Sequence, residues 1–306
     1  MLGVPVVFET NSAQVLELVR AAYGDDSSRD GAGRGHLRVR IIADPDLVAA
    51  DTLAPVASLP EPDRLVLRLG GGHARADAAR GEAVAYVSPG TIAASGFREA
   101  VLDHLTLFLV TRWDRCPVHA GAIARDGRAL LLAGPSGLGK SSLTYAAMRE
   151  GFQVLADDAV YVQRDPRLRL WSMPPRIHLP ATATRHFPEL EGSRETNRPD
   201  GRSKIPVTIP GAARAPVPWV GGVALCVLST SPVDRPAERL SLEAAVAEMR
   251  ATLQGGFRRF ADSLDDCVRL VSGGGCWRLP VTVDPSELIR RIDALFRAFG
   301  DPAPEQ

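Results

Sequence analysis

The eight residues Gly134-Pro135-Ser136-Gly137-Leu138-Gly139-Lys140-Ser141 constrain the fold of this chain more than any other stretch. They match the pattern GxxxxGK[ST] in full. An apolar run, RALLLA, precedes them, and a helical pattern, SSLTYAAMREG, follows and stops at Gly151. A strand that feeds a helix through such a turn aims several backbone N–H groups at one point, and the helix N-terminus adds partial positive charge. Glycine lets that backbone curl closely around phosphate oxygens. The stretch predicts an α/β P-loop core in which Gly134, Pro135, Ser136, Gly137, Leu138, Gly139, Lys140, Ser141 and Ser142 bind nucleotide phosphates. Lys140 is expected at the β- and γ-phosphates and the Ser141 hydroxyl on Mg²⁺. The loop does not select a reaction, because kinases, ATPases and GTPases share it.

Two adjacent carboxylates, Asp157 and Asp158, begin seventeen positions after Lys140. The run FQVLA before them reads as a short strand. A strand, helix and strand in a crossover unit make the two strands parallel, with their C-terminal ends on one edge of the sheet. The glycine loop leaves one such end and the carboxylates the other. Neighbouring strands lie about 5 Å apart, and one intervening strand doubles that gap; a Mg²⁺–nucleotide with bound water bridges it. If the strand continues through DAVYV, the two side chains point in roughly opposite directions. That divides their roles, one carboxylate for the metal and one to take the proton of an acceptor hydroxyl. A solvated acidic turn is the plainer alternative.

The runs PVHAGAIA and RALLLAG flank Arg125-Asp126-Gly127-Arg128. Asp-Gly is a favoured two-residue hairpin turn. Such a turn pairs Arg125 with Arg128 and, followed outward, sets His119 opposite Gly134 at the entrance of the loop. There His119 would meet phosphate, the acceptor or one of the aspartates; a structural histidine is the alternative.

Formal charge is zero, with 36 basic and 36 acidic residues, so no nucleic-acid or acidic-membrane partner is expected. At 45% apolar residues the chain can bury a substantial core. The start lacks a basic segment followed by a long apolar run, and LDHLTLFLV is too short to span a bilayer, so a soluble, cytoplasmic protein is expected. Cys116, Cys226, Cys267 and Cys276 lack metal-site spacing and read as free thiols, with a Cys267–Cys276 contact across a hairpin as the alternative. Lys140 and Lys204 are the only lysines. Lys204 lies in NRPDGRSKIPV beside Arg198 and Arg202, and Arg176 and Arg194 lie in the same region. A segment of this kind can supply positive charge to a transferring phosphate, or it can be a solvated loop.

Residues 1–94 read as a small α/β unit, with strands at VPVVF, HLRVRIIA and RLVLRLG and a helix near Ser12–Tyr23. His36 and His73 read as surface residues there. A connecting helix over 95–113 opens the second unit, 95–306. Within it, residues 173–218 are proline-rich and aperiodic, and QGGFRRF is a further acceptor-side loop or a helix terminus. A strand at 221–229, a helix over 241–254 capped by Ser241, a strand CWRLPVTV and a final amphipathic helix complete it.

The run VHAGAIARDGRALLLAGPSGLGKSSLTYAAMREGFQVLADDAVYV resembles the HPr kinase/phosphorylase family, whose core is related to phosphoenolpyruvate carboxykinase. GRSKIPV is similar to a basic segment of HPr-kinase-like proteins from peptide-modification clusters. No counterpart of the family's arginine- and glycine-rich signature follows the carboxylates. The resemblance implies that Lys140 and Ser141 bind phosphate and metal, that Asp157 is the general base, and that Asp158 helps hold Mg²⁺. It places His119 beside the reacting phosphate and makes Lys204 a candidate catalytic residue. It further implies an α/β fold, a P-loop kinase core of the HPr kinase / phosphoenolpyruvate carboxykinase type with a small N-terminal α/β unit. The activity it implies is a Mg²⁺–ATP-dependent kinase acting on a serine hydroxyl of a peptide or protein, with a lasso-peptide-type branch and a ribosomal peptide natural product among the options. A kinase for a small-molecule alcohol and a nucleotide-controlled interaction protein are the alternatives, and a homo-oligomer is left open.

Overall fold

The computed structural model describes residues 1–24, 37–49, 53, 55–173, 176–197, 203–230, 236–253, 257, 260–281 and 284–299. The architecture is mixed α/β with several sheets, and the chain divides into two compact units, Met1–Arg115 and Cys116–Gln306.

The first unit holds β1 (Val6–Thr10), α1 (Ala13–Tyr23), β2 (Leu37–Ala43), β3 (Val56–Glu61), β4 (Arg64–Leu69), β5 (Gly72–Asp77) and β6 (Glu82–Val87). A short α2 (Pro89–Ala93), a π-helical turn (Arg98–Asp103) and α3 (His104–Trp113) follow. The strands form one sheet in the order β1-β2-β6-β5-β4-β3. Its two faces follow from alternation along each strand: Leu37, Val39 and Ile41 of β2 are buried, whereas Arg38 and Arg40 are not. Helix α3 packs on β2, β5 and β6, with Leu105, Phe108 and Leu109 buried. The sequence suggests a boundary at 94/95, with this helix as a connector of the second unit. The division instead falls after Arg115, because a helix that buries its apolar side on a sheet belongs to that sheet's core.

The second unit begins with β7 (Cys116–Val118), β8 (Ala120–Arg125), β9 (Arg128–Ala133), α4 (Lys140–Arg149), β10 (Gln153–Ala156), β11 (Val160–Gln163) and β12 (Arg169–Trp171). It continues through β13 (Arg176–Pro180), β14 (Thr196–Asn197), β15 (Ser203–Thr208), β16 (Gly222–Ser229) and β17 (Glu238–Arg239). Helices α5 (Leu242–Ala251) and α6 (Ala261–Val271), strand β18 (Cys276–Pro280) and helix α7 (Pro285–Ala298) end it. The main sheet runs β10-β8-β9-β16-β18-β17. Strands β9, β16 and β18 are parallel, and β8 is antiparallel to both β9 and β10. Strands β9 and β10 therefore run parallel with β8 between them, as the crossover geometry predicts for one intervening strand.

Both faces of this sheet are covered. Leu130 and Leu132 pack in a core with Leu143 of α4 and Ile292 and Phe296 of α7. Leu131 and Ala133 face a second core with Met249 of α5 and Leu264 and Val268 of α6. This explains why RALLLA is apolar without alternation. Burying each leucine stabilises the fold by about 1.5–3 kcal/mol relative to exposure, so β9 gives the following loop a firm base. Ser241 caps α5 by accepting from the Ala244 amide, and Asp284 caps α7 by accepting from the Ser286 amide.

Two smaller sheets complete the unit, β12-β11-β7 and β13-β15-β14. The second corrects the expectation that 173–218 is largely irregular. Strands β13 and β15 pair from Arg176↔Thr208 to Pro180↔Lys204, burying Ile177, Leu179 and Ile205. Proline is tolerated at 206 because the partner pairing of β14 covers only Ser203 and Lys204, leaving Pro206 on an edge. All four cysteines are free; Cys116 is the thiol neighbour of Cys267, and Cys276 bonds to the Ser272 hydroxyl.

Candidate functional site

The site is assembled at the ends of β8, β9 and β10. Asp126 and Gly127 both have positive φ, 51° and 70°, and pair Arg125 with Arg128 through to Ala120 with Ala133. That register puts His119 and Gly134 just beyond the paired strands. Gly134 has φ 138°, and a Cβ there would sit 3.0 Å from the Leu228 carbonyl oxygen of β16. The loop can leave the sheet so close to β16 only with glycine at this position.

Helix α4 starts at Lys140, after Gly139 in the left-handed region. The buried Lys140 folds back on its own loop, Nζ donating to the Gly134 carbonyl at 2.7 Å and the Pro135 carbonyl at 3.0 Å. Burial lowers its pKa, opposed by Asp158 and Asp157. Ser136, Gly137, Gly139, Ser141 and Ser142 line a cleft of about 710 Å³ with Lys140. Leu138 packs against the first core instead.

Strand β10 ends at Ala156, and the chain bends before β11 begins at Val160. The strand does not run on through the carboxylates as the sequence suggests, yet they still diverge. Asp157 is buried, 6% exposed, while the Asp158 side chain is 64% exposed and lines the cleft. Asp157 Oδ2 accepts from the His178 amide at 2.9 Å, and its Oδ1 is buried without a partner among the described residues. Burial pushes the Asp157 carboxyl up to about 6; the His178 amide and the Ser141 hydroxyl pull against that rise, as does Lys204 more weakly.

His119 also lines the cleft. Its Nδ1 lies 3.5 Å from Asp158 Oδ1, its ring packs 5.0 Å from Phe257, and both ring nitrogens are buried without a hydrogen bond among the described residues. Burial and the Lys140 charge lower its pKa, against the pull of Asp158, which leaves a neutral imidazole at pH 7. Lys204, on β15, lines the cleft as well, and its Nζ donates to the His178 carbonyl at 3.4 Å.

The fold therefore gathers His119, Lys140, Ser141, Ser142, Asp158 and Lys204 around one cleft; Asp157 is not among its lining residues and is buried, next to Asp158 in sequence. Three further residues escape sequence reasoning: His178, which holds Asp157, and Arg185 and His186, which line the cleft. No local pattern marks them; they arrive through the long-range pairing of β13 with β15. Arg176 and Arg194 are not among the cleft-lining residues. Arg198, Arg202, His36 and most of QGGFRRF lie outside the described residues, and His73 stacks on Tyr86 in the first unit.

Ser141 and Asp158 offer oxygen donors within the same cleft. Among the described residues no group of three or more His, Cys, Asp or Glu could hold a metal. The donors present fit Mg²⁺, a hard cation that takes few protein ligands and completes its shell with phosphate and water. No helix among the described residues is long and apolar enough to cross a membrane.

No family model and no curated protein matches the chain. Among solved structures, the Hpr(Ser) kinase/phosphatase from Coxiella burnetii is similar at 16% identity and a TM-score of 0.31, over 59% of this chain and 93% of that one. The likeness is weak and partial.

Proposed function

We propose that the chain is a Mg²⁺–ATP-dependent kinase that phosphorylates a hydroxyl group, with a serine of a peptide or protein as acceptor. The observation that carries this reading is the buried Asp157, next in sequence to the cleft-lining Asp158 and with one oxygen that has no partner among the described residues; burial pushes its pKa up to about 6. A base with that pKa is ionised at pH 7 and still basic enough to accept a proton during transfer. The acceptor oxygen attacks the γ-phosphorus, the bond to the ADP oxygen breaks, and the hydroxyl proton passes to Asp157.

The loop N–H groups and Lys140 would bind the phosphates, Lys140 exchanging its loop carbonyls for phosphate oxygens. Ser141 and Asp158 would hold Mg²⁺, which when bound neutralises phosphate charge. Neutral His119 would donate to, or accept from, a group entering the cleft, and so satisfy a ring nitrogen that has no partner among the described residues. Lys204, on β15, would add a further positive charge to the same cleft.

The cleft volume of about 710 Å³ lies within the range of small-molecule pockets, which favours a small alcohol as the second reading of the acceptor. The deciding experiment is transfer of labelled phosphate from ATP to candidate peptides and alcohols, with Asp157→Asn alongside. Transfer by the variant at the parent rate would sink the role of Asp157; nucleotide binding without transfer to any acceptor would favour a nucleotide-controlled interaction protein.

A further inference from the structure

We infer that the part of the cleft lined by Arg185, His186 and Lys204 is an anion subsite for the acceptor, so that the hydroxyl to be phosphorylated belongs to a compound that also carries a carboxylate or phosphate. The inference rests on the kinase reading above and narrows its substrate class.

The argument starts from β13. His178 of this strand fixes Asp157 through its amide, and two residues later Pro180 leads into the 3-10 turn Ala181–Arg185. Arg185 and His186, at the end of that turn, line the cleft. Lys204, which pairs with Pro180 in register, lines it beside them. One continuous element thus holds the proton acceptor at one end and presents a guanidinium at the other. An acceptor that sets its hydroxyl at Asp157 lies along the same wall.

Arg185 is exposed, and its guanidinium makes no hydrogen bond or ion pair with any described residue. Arg278, by contrast, is matched by Glu238 and Glu248, and Arg125 by Asp293. The fixed charges lining the cleft are Lys140, Lys204 and Arg185 against Asp158, three positive and one negative. The nucleotide phosphates are met from the loop wall by backbone N–H groups and Lys140. Arg185, which lies outside the loop and its helix, is left for a second anion. A guanidinium binds a carboxylate or phosphate through two parallel hydrogen bonds, and so discriminates it from a neutral hydroxyl compound.

The test uses the full chain saturated with Mg²⁺ and a non-hydrolysable ATP analogue, titrated calorimetrically with glycerate, glycerol 3-phosphate and neutral glycerol. Both anions should bind at least about 10-fold more tightly than glycerol, the lower end for a charge-assisted hydrogen bond. Arg185→Gln should bring all three within about 3-fold while changing analogue affinity less than about 2-fold, and Arg185→Lys should keep part of the preference. Equal binding of anions and glycerol, or no anion binding, overturns the subsite and leaves the nucleotide site standing. A loss of analogue affinity of about 10-fold in Arg185→Gln assigns this residue to the nucleotide and also overturns it. If the analogue fails to bind the parent chain, the kinase reading falls, and the acceptor assignment with it.

Discussion

Replacing Asp157 with asparagine should make the protein more stable and nearly inactive at once. The carboxyl, ordinarily near 3.8, is raised to about 6 chiefly by burial. Below pH 3.8 both the folded and unfolded forms carry the proton, and the substitution makes no electrostatic difference. Between there and about 6 the unfolded chain ionises first, so the parent loses stability as pH rises; above about 6 the loss is complete. At 1.36 kcal/mol per pH unit, this comes to about 3 kcal/mol at neutral pH. Asparagine can keep the bond from the His178 amide, and its NH₂ replaces an oxygen that already lacks a partner among the described residues. The variant should therefore gain about 3 kcal/mol at pH 7.5 and little at pH 4. For a unit of this size that is roughly 6–12 °C in the melting temperature of the second unit. Scanning calorimetry of both proteins at pH 4, 5, 6 and 7.5 reads the difference directly. A difference that does not depend on pH, or a less stable variant at pH 7.5, would refute the claim that an ionised, desolvated carboxylate sits there. Phosphoryl transfer by the same variant should fall by about 10²–10⁴.

Lys140→Ala should weaken ATP-analogue binding by at least about 10-fold in calorimetry, since it removes the charge-assisted bonds to phosphate; unchanged affinity would exclude the loop as the phosphate site. Lys204→Met removes a cation that holds the Asp157 pKa down, so the limb of the pH–rate profile on which Asp157 ionises should move to higher pH. A shift to lower pH would contradict that placement. At Gly121 a Cβ would sit 2.8 Å from Thr144 Oγ1 and 3.3 Å from the Asp157 carbonyl oxygen. Gly121→Ala should cost about 1–3 kcal/mol in chemical denaturation, with most of it recovered in the Gly121→Ala/Thr144→Ala double variant; no recovery would mean that α4 is not what the new methyl meets.

The half of the site built by local chain geometry was legible in the sequence. A two-residue turn fixes the pairing of a hairpin, so Asp126-Gly127 alone placed His119 beside the start of the loop. The crossover rule then put Asp157 and Asp158 on the same edge. The other half depends on partners distant in sequence. Strands β13 and β15 are separated by the turns around Ala181–Arg185 and Pro188–Leu190, and their prolines resemble loop punctuation. Only the finished pairing shows that His178 meets Asp157 and that Lys204 meets His178. Helix α6 is a different case. Its buried Leu264, Cys267, Val268 and Val271 have helical spacing, but cysteine and the intervening aspartates blur the apolar stripe. The connecting helix was visible, but not which unit it joins, because its apolar residues fit either core.

Strand β8 has a consequence for anyone wishing to alter what this protein accepts. It stands between the strand that ends in the glycine loop and the strand that ends in the carboxylates, hydrogen-bonded to both. Backbone ladders do not stretch, so the span from loop to carboxylate is set in whole strand widths, about 10 Å for two. Substitution in these three strands cannot adjust that span by small amounts. Room for a bulkier or differently charged guest must come from the β13–β15 wall, which is a separate sheet and can be redesigned without resetting the ruler.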